Sequence, residues 1–240
     1  MALTDGIISY YKCSSDATDE LGTNNGTNNG TVTYSSGNGK IGNGAGIDGA
    51  SPLANYVSLG TGASLVPTAI TINGWGKYVT PAEIWGALYH KYRTTGDEHH
   101  LIMVSNTTNK VFWLVSATTD LVVVAGNATL SSGTYYMFTM TYDSTDGLKT
   151  YINASDDGTV VANGNLKTGT QNNVYIGGDV AGSNNGRPWA SAFDEFGIWN
   201  RALTASEITE LFNSGAGLQY PFTGDATVFP HPTLLTLGVG

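Results

Sequence analysis

The chain has 240 residues, a length that suits one large β-sandwich or two small domains. Glycine occurs 32 times and charged residues make up only 12 %, which argues against a helix-rich protein and for short strands joined by tight turns. A formal net charge of −9 repels polyanions and so argues against a nucleic-acid partner, and a single cysteine, Cys13, rules out an internal disulfide.

In chain order, the first predicted strand covers residues 6–12, and Cys13 beside it reads as a small buried residue. Nothing ahead of it has the charged and apolar regions of a secretion signal. The polar stretch 14–30 contains a near-duplicate, Gly22-Thr23-Asn24-Asn25-Gly26 and Thr27-Asn28-Asn29-Gly30, whose Asn-Gly steps favour tight turns. Further strands are expected at 30–34, 44–48, 55–59 and 69–78. A meander follows at 84–93, 99–105, 110–116, 120–125, 134–143, 149–153, 174–177 and 192–199. Turn residues separate these runs at the spacing of a sandwich or barrel. The longest apolar runs, such as 121–125, are far too short to cross a membrane.

Alternation assigns faces. In 134–143, Tyr136, Phe138, Met140 and Tyr142 oppose Tyr135, Met137, Thr139 and Thr141. Both faces are fairly apolar, which predicts a central strand covered on both sides. In 69–78, Trp75 opposes Ile70 and Ile72 and is expected to point away from the inter-sheet core. One helix is predicted at 205–213, with Thr204 and Glu207 as a capping box, an apolar stripe of Ile208, Leu211 and Phe212, and Gly215 as its left-handed stop. Residues 223–240 hold Pro230 and Pro232 and end on an apolar run. They read as an extended arm outside a sandwich formed by residues 1–222.

Three segments resemble the laminin G-like, concanavalin A-like jelly-roll family of bacterial surface and phage structural proteins. The first is Ile8-Ser9-Tyr10-Tyr11-Lys12 followed by Asp19-Glu20-Leu21-Gly22-Thr23-Asn24-Asn25-Gly26-Thr27. The second is the hairpin from Gly133 to Asp143 with Tyr151-Ile152-Asn153, where Ala154 replaces the family's usual glycine. The third and most specific is Phe193-Asp194-Glu195-Phe196-Gly197-Ile198-Trp199-Asn200-Arg201-Ala202-Leu203-Thr204 with its helix. The resemblance implies an all-β, two-sheet antiparallel jelly-roll sandwich with one short C-terminal helix. It also implies a calcium site at Asp19 and Asp194, with Gly22 and Asn25 as further ligands. Calcium wants six to eight oxygens and could tie these distant segments together. The alternative is that Asp19 caps a turn and Asp194 binds backbone amides.

Aromatic side chains that stack on sugar rings are the second candidate chemistry. Trp75, Trp85, Trp113 and Trp189 are available. The most site-like cluster is Asn184-Asn185-Gly186-Arg187-Pro188-Trp189, so the expected ligand-binding residues are Trp189, Arg187, Asn185 and Trp75. Catalysis is not expected. A retaining glucanase needs two carboxylates roughly 5 Å apart, and Asp194 and Glu195, adjacent on a regular strand, should face opposite ways. His90, His99 and His100 lack the spacing of a zinc site and are expected to be solvent-exposed. The expected function is therefore non-catalytic: a virion-associated or surface adhesion domain that binds a cell-surface glycan through loops or an exposed sheet face. The arm 223–240 would dock it to other virion or surface-assembly proteins, or join protomers into a homo-oligomer. The alternatives are a structural decoration protein without a glycan ligand and an accessory module of a secreted glycanase.

Overall fold

The computed structural model describes residues 1–48, 55–91, 100–161, 164–167, 173–178 and 187–222. Asn185 and the arm 223–240 lie outside the described residues.

In chain order the strands are β1 (Ile7–Tyr11), β2 (Thr27–Asn29), β3 (Val32–Ser35), β4 (Gly44–Ile47), β5 (Tyr56–Gly60), β6 (Ile70–Tyr78), β7 (Trp85–Lys91), β8 (His100–Ser105), β9 (Lys110–Ser116), β10 (Leu121–Thr129), β11 (Thr134–Asp143), β12 (Gly147–Ile152), β13 (Ser155–Val160), β14 (Val174–Ile176) and β15 (Ala192–Trp199). They form two antiparallel sheets. The eight-stranded sheet runs β13-β12-β11-β6-β15-β4-β3, with β1 pairing to the far end of β15, and the seven-stranded sheet runs β10-β9-β8-β7-β14-β5-β2. The jelly-roll sandwich expected from the sequence is the architecture observed.

Between the sheets lies one apolar core that includes Tyr11, Ile70, Ile72, Leu88, Tyr89, Ile102, Trp113, Phe138, Met140, Phe193, Phe196 and Ile198. β11 sits between β6 and β12 and is buried on both faces, as its two apolar faces predict. Phe138, Met140 and Tyr142 enter the inter-sheet core, while Met137 joins a second cluster on the outer face of the eight-stranded sheet.

That outer cluster is covered by the helix α1 (Ala205–Phe212). Thr204 Oγ1 accepts from the Glu207 N–H at 3.3 Å and Glu207 Oε2 accepts from the Thr204 N–H at 2.8 Å, the expected capping box. Ile208 and Leu211 pack onto Trp75, Met137, Trp199 and Leu203, and Phe212 stacks on Trp75 with centroids 5.8 Å apart. The helix stops one turn position earlier than expected. Asn213 (φ 45°) and Ser214 (φ 54°) take the left-handed conformation ahead of Gly215, which Asn tolerates better than most side chains.

Two strands were illegible. β2 (Thr-Asn-Asn) and β13 (Ser-Asp-Asp-Gly-Thr-Val) are too polar to announce themselves. β13 matters, because it carries Asp157 to the seam between the two sheet edges. There Asp157 Oδ1 accepts from the β10 backbone at Ala128 N (2.6 Å) and Oδ2 accepts from Trp113 Nε1 (2.9 Å). Gly126 is required at this seam, since a Cβ there would stand 2.1 Å from Asp157 Oδ2.

Arg201, just after β15, grips the helix start through a two-pronged ion pair with Glu207 (2.9 and 2.7 Å). This guanidinium holds the Glu207 carboxyl down to about 2. Its stabilisation should be complete above the ordinary glutamate range and vanish as pH falls through the folded value. We expect Glu207→Gln to lower unfolding free energy by about 2 kcal/mol at pH 7. The gap to wild type should close near pH 2 in chemical denaturation.

Candidate functional site

The sequence-expected aromatics are placed first by their burial. Trp189 is 1 % exposed and lies in the inter-sheet core, not in an open loop. Its backbone N–H donates to Gly177 O, its indole donates to Ala192 O at 3.0 Å, and its ring meets Phe138 edge-on at 5.8 Å. Ala190 at φ 53° turns the chain here, a local conformation that the sequence does not advertise. Trp75 faces away from the inter-sheet core as expected. It is 3 % exposed, however, closed in by Phe212 and by Lys40 Nζ 4.7 Å from its ring centre. Neither ring offers a face to a sugar.

Calcium fares no better against the geometry. Asp19 Oδ1 accepts from the Tyr10 and Leu21 N–H groups, and Oδ2 accepts from those of Thr23 and Asn24. Asn25 Oδ1 is taken by the Asp19 N–H, and Gly22, at φ 73°, closes the turn by donating to Asp19 O. Asp194 Oδ2 accepts from Lys40 N and Ile41 N, both at 2.8 Å, and Oδ1 accepts from Glu195 N. Amide hydrogens therefore point at the lone pairs a cation would need. Asp19, Asn25 and Asp194 staple the chain and do not fit calcium. Among the described residues there is no cluster of three or more His, Cys, Asp or Glu side chains able to hold a metal. His90 and His100 are buried, contrary to expectation, and His90 stacks on Tyr175. The melting temperature should be the same in millimolar calcium and in chelator, and a rise of several degrees with calcium would overturn this reading.

Glu195 corrects another expectation. β15 carries one extra residue between Asp194 and Gly197, and Glu195 sits at φ 51° in that bulge. Phe193 and Phe196 both enter the inter-sheet core, so both carboxyls turn to the outer face. Glu195 accepts from Tyr10 Oη at 2.6 Å and from Gln219 Nε2. Burial pushes Asp194 up to about 8, against the pull of its three N–H donors, and Glu195 up to about 7. The pair shares a face, but the residues are 0 % and 1 % exposed, so a substrate cannot reach it.

On the outer face of the seven-stranded sheet, Trp85 and Phe112 keep partial exposure while the residues they pack on are buried. Register aligns Ala87, Met103, Phe112 and Ala125 in one row across β7, β8, β9 and β10, with Trp85 opposite Ser105 in the next row. Trp85 and Phe112 are half-buried, and their rings pack at 5.3 Å on a floor of Ala87, Leu101, Met103 and Leu114. Arg187 joins this face. Its carbonyl accepts from the Ala87 N–H at 3.0 Å and its Nη1 reaches Met103 Sδ at 3.2 Å. Of the five tryptophans, Trp75, Trp113, Trp189 and Trp199 are buried, and Trp85 is the one that keeps partial exposure. Arg187 thus belongs to the candidate site, but beside Trp85 and not as a partner of an exposed Trp189. Phe112 was missed because both faces of β9 are apolar, so alternation could not say which one met the other sheet.

A family profile described as the concanavalin A-like lectin/glucanases superfamily matches residues 48–209, well over half of the chain. The chain belongs to this superfamily. Comparison with curated proteins yields no match. Among solved structures it is similar to domain 4 of AbnA, a GH43 extracellular arabinanase from Geobacillus stearothermophilus in complex with arabinotriose. That likeness has a TM-score of 0.65 and 18 % identity, and covers 85 % of this chain and 97 % of that one. It is also similar to the binding domain of Paraclostridial Mosquitocidal Protein 1 (TM-score 0.69, 16 % identity, 89 % and 53 % covered). A third is the binding domain of botulinum neurotoxin DC in complex with SialylT (TM-score 0.66, 13 % identity, 88 % and 51 % covered). The chain spans about half the length of the two toxin domains. At these identities the likeness speaks for the fold.

The two tryptophan environments predict opposite mutant behaviour. Trp189→Ala should cost about 3–5 kcal/mol in unfolding free energy, as for other fully buried aromatics. Trp85→Ala should cost about 1 kcal/mol or less. Equal losses in denaturant titrations would contradict the placement.

Proposed function

We propose that the chain is a non-catalytic carbohydrate-binding module that engages its ligand on the outer face of the seven-stranded sheet, with Trp85 and Phe112 as the stacking platform. The observation that carries this reading is the half-open Trp85–Phe112 pair on a sheet face otherwise built of buried apolar side chains. Sugar rings expose C–H faces that stack on such rings, while nearby polar groups read the hydroxyls. The superfamily membership and the likeness to an arabinanase domain crystallised with arabinotriose support a glycan as the ligand class. That same likeness favours, as a second reading, an accessory module appended to a glycan-degrading enzyme.

An adhesion role on a virion or cell surface belongs to the proposal. It rests on the resemblance of the opening and closing segments to phage and bacterial surface proteins. In this reading the arm 223–240 docks the sandwich to other components of the assembly, or joins copies of the chain.

Glycan-array binding tests the platform. Selective binding is expected, undiminished by chelator and weakened at least tenfold by Trp85→Ala, with the melting temperature of the variant near that of wild type. Selective binding that Trp85→Ala leaves intact would move the site elsewhere. A blank array with folded protein would favour a purely structural decoration role.

A further inference from the structure

The described cations of this acidic chain are accounted for, with one exception. Lys12, Lys149 and Arg201 form ion pairs with Glu20, Asp146 and Glu207. Lys40 and Lys77 lie over the rings of Trp75 and Tyr135. Arg187 contacts Met103, and Lys91 and Lys167 are also engaged. Among the described residues, Lys110 alone of the lysines and arginines has no ion pair, side-chain hydrogen bond or ring contact. The residue is partly buried, as a lysine whose stem packs on the sheet while its ammonium stays free to pair.

Its position is specific. Lys110 opens β9 two residues before Phe112, so alternation sets its side chain on the same outer face as the aromatic platform. The short connection from Ser105 to Lys110 places both at one end of the sheet, and Ser105 is paired across β8 and β7 with Trp85. Two strand spacings, roughly 10 Å, separate β7 from β9. A pyranose ring resting on Trp85 and Phe112 spans about half of that distance, and an extended lysine side chain spans the rest.

Resting on the platform reading above, we infer that the ligand is an anionic glycan, one whose sugar ring stacks on Trp85 and Phe112 while its carboxylate or sulfate substituent pairs with Lys110. A carboxylate on a uronic or sialic acid and a sulfate ester both present oxygens to an ammonium, so the recognition chemistry is shared. The net charge of −9 opposes long polyanions at a distance. At physiological ionic strength fields beyond about 8 Å are screened, so the cation at the platform decides the local preference. A sugar ring stacked on the platform would exclude water beside the ammonium and strengthen that pairing relative to open water.

The full chain, its Lys110→Met and Lys110→Arg variants, and Trp85→Ala are to be compared at about 0.15 M salt on an array that carries neutral, uronate-bearing, sialylated and sulfated glycans side by side, with melting temperatures measured in parallel. The expected hits carry an anionic substituent, and the uronate, sialic and sulfate spots identify its source. Titration against a hit and its carboxyl methyl ester or desulfated form should show at least a tenfold preference for the charged ligand. Lys110→Met should abolish that preference and leave affinity for the neutralised form unchanged, while Lys110→Arg should retain it. Neutral hits, or anionic hits that bind Lys110→Met as tightly as wild type, would overturn this inference. The platform would survive that result if Trp85→Ala still destroyed binding. A blank array, or binding unaffected by Trp85→Ala, would remove the platform and the inference together.

Discussion

Both sheets of this sandwich are apolar on both faces, and burying only the faces that meet would leave two hydrophobic surfaces in water. The outer face of the eight-stranded sheet is dealt with by covalent connection. The chain leaves β15, turns at Arg201, and lays α1 and residues 218–222 back over Trp75, Met137, Trp199 and Tyr10. The capping box and the Arg201–Glu207 pair fix where that cover begins, and Gln219 and Phe222 fix where it ends. Among the described residues no helix lies over the seven-stranded sheet, and its outer face keeps two aromatic rings partly exposed. The candidate site follows from this asymmetry.

The bulge at Glu195 shows how one backbone irregularity can build a catalytic-looking arrangement and disarm it. By adding a residue to β15 it turns two neighbouring carboxyls to one side of the sheet, a prerequisite for acid–base chemistry. The same outer face is the one the C-terminal segment seals. Asp194 is consumed in anchoring the backbone at residues 40–41, and Glu195 is consumed by Tyr10 and Gln219. Raised pKa values here follow from burial, the condition that also denies access.

Legibility in the sequence tracked local chemistry. Strands rich in β-branched and aromatic residues, the two-faced burial of β11, the direction of Trp75 and the capping box of α1 could all be read, because alternation and capping are local rules. β2 and β13 could not, since their polar residues carry no strand signal of their own; β2 is held by the distant β5 and β13 by its hairpin neighbour β12. Trp189 was misread because burial is set by the turn at Ala190, whose positive φ has no glycine or asparagine to announce it. Asp19 and Asp194 carry a motif compatible with either a metal or a backbone anchor, and only the directions of the surrounding N–H groups decide between them. Trp85 was among the aromatics on offer but not singled out, and Phe112 stayed hidden because β9 is apolar on both faces.

The seam held by Asp157 has a consequence for crowding. β10 and β13 end their respective sheets, and strand ends of that kind are templates onto which another copy can add its own backbone. By taking the Ala128 N–H and the Trp113 indole with one carboxylate, Asp157 occupies a donor on the β10 rim and draws the two rims toward each other. At that point one carboxylate ties the rims of the two sheets together. A neighbouring copy that met this rim would find that donor already spent, so association at this seam falls to side chains, while the opposite rims, β2 and β3, keep edges of their own.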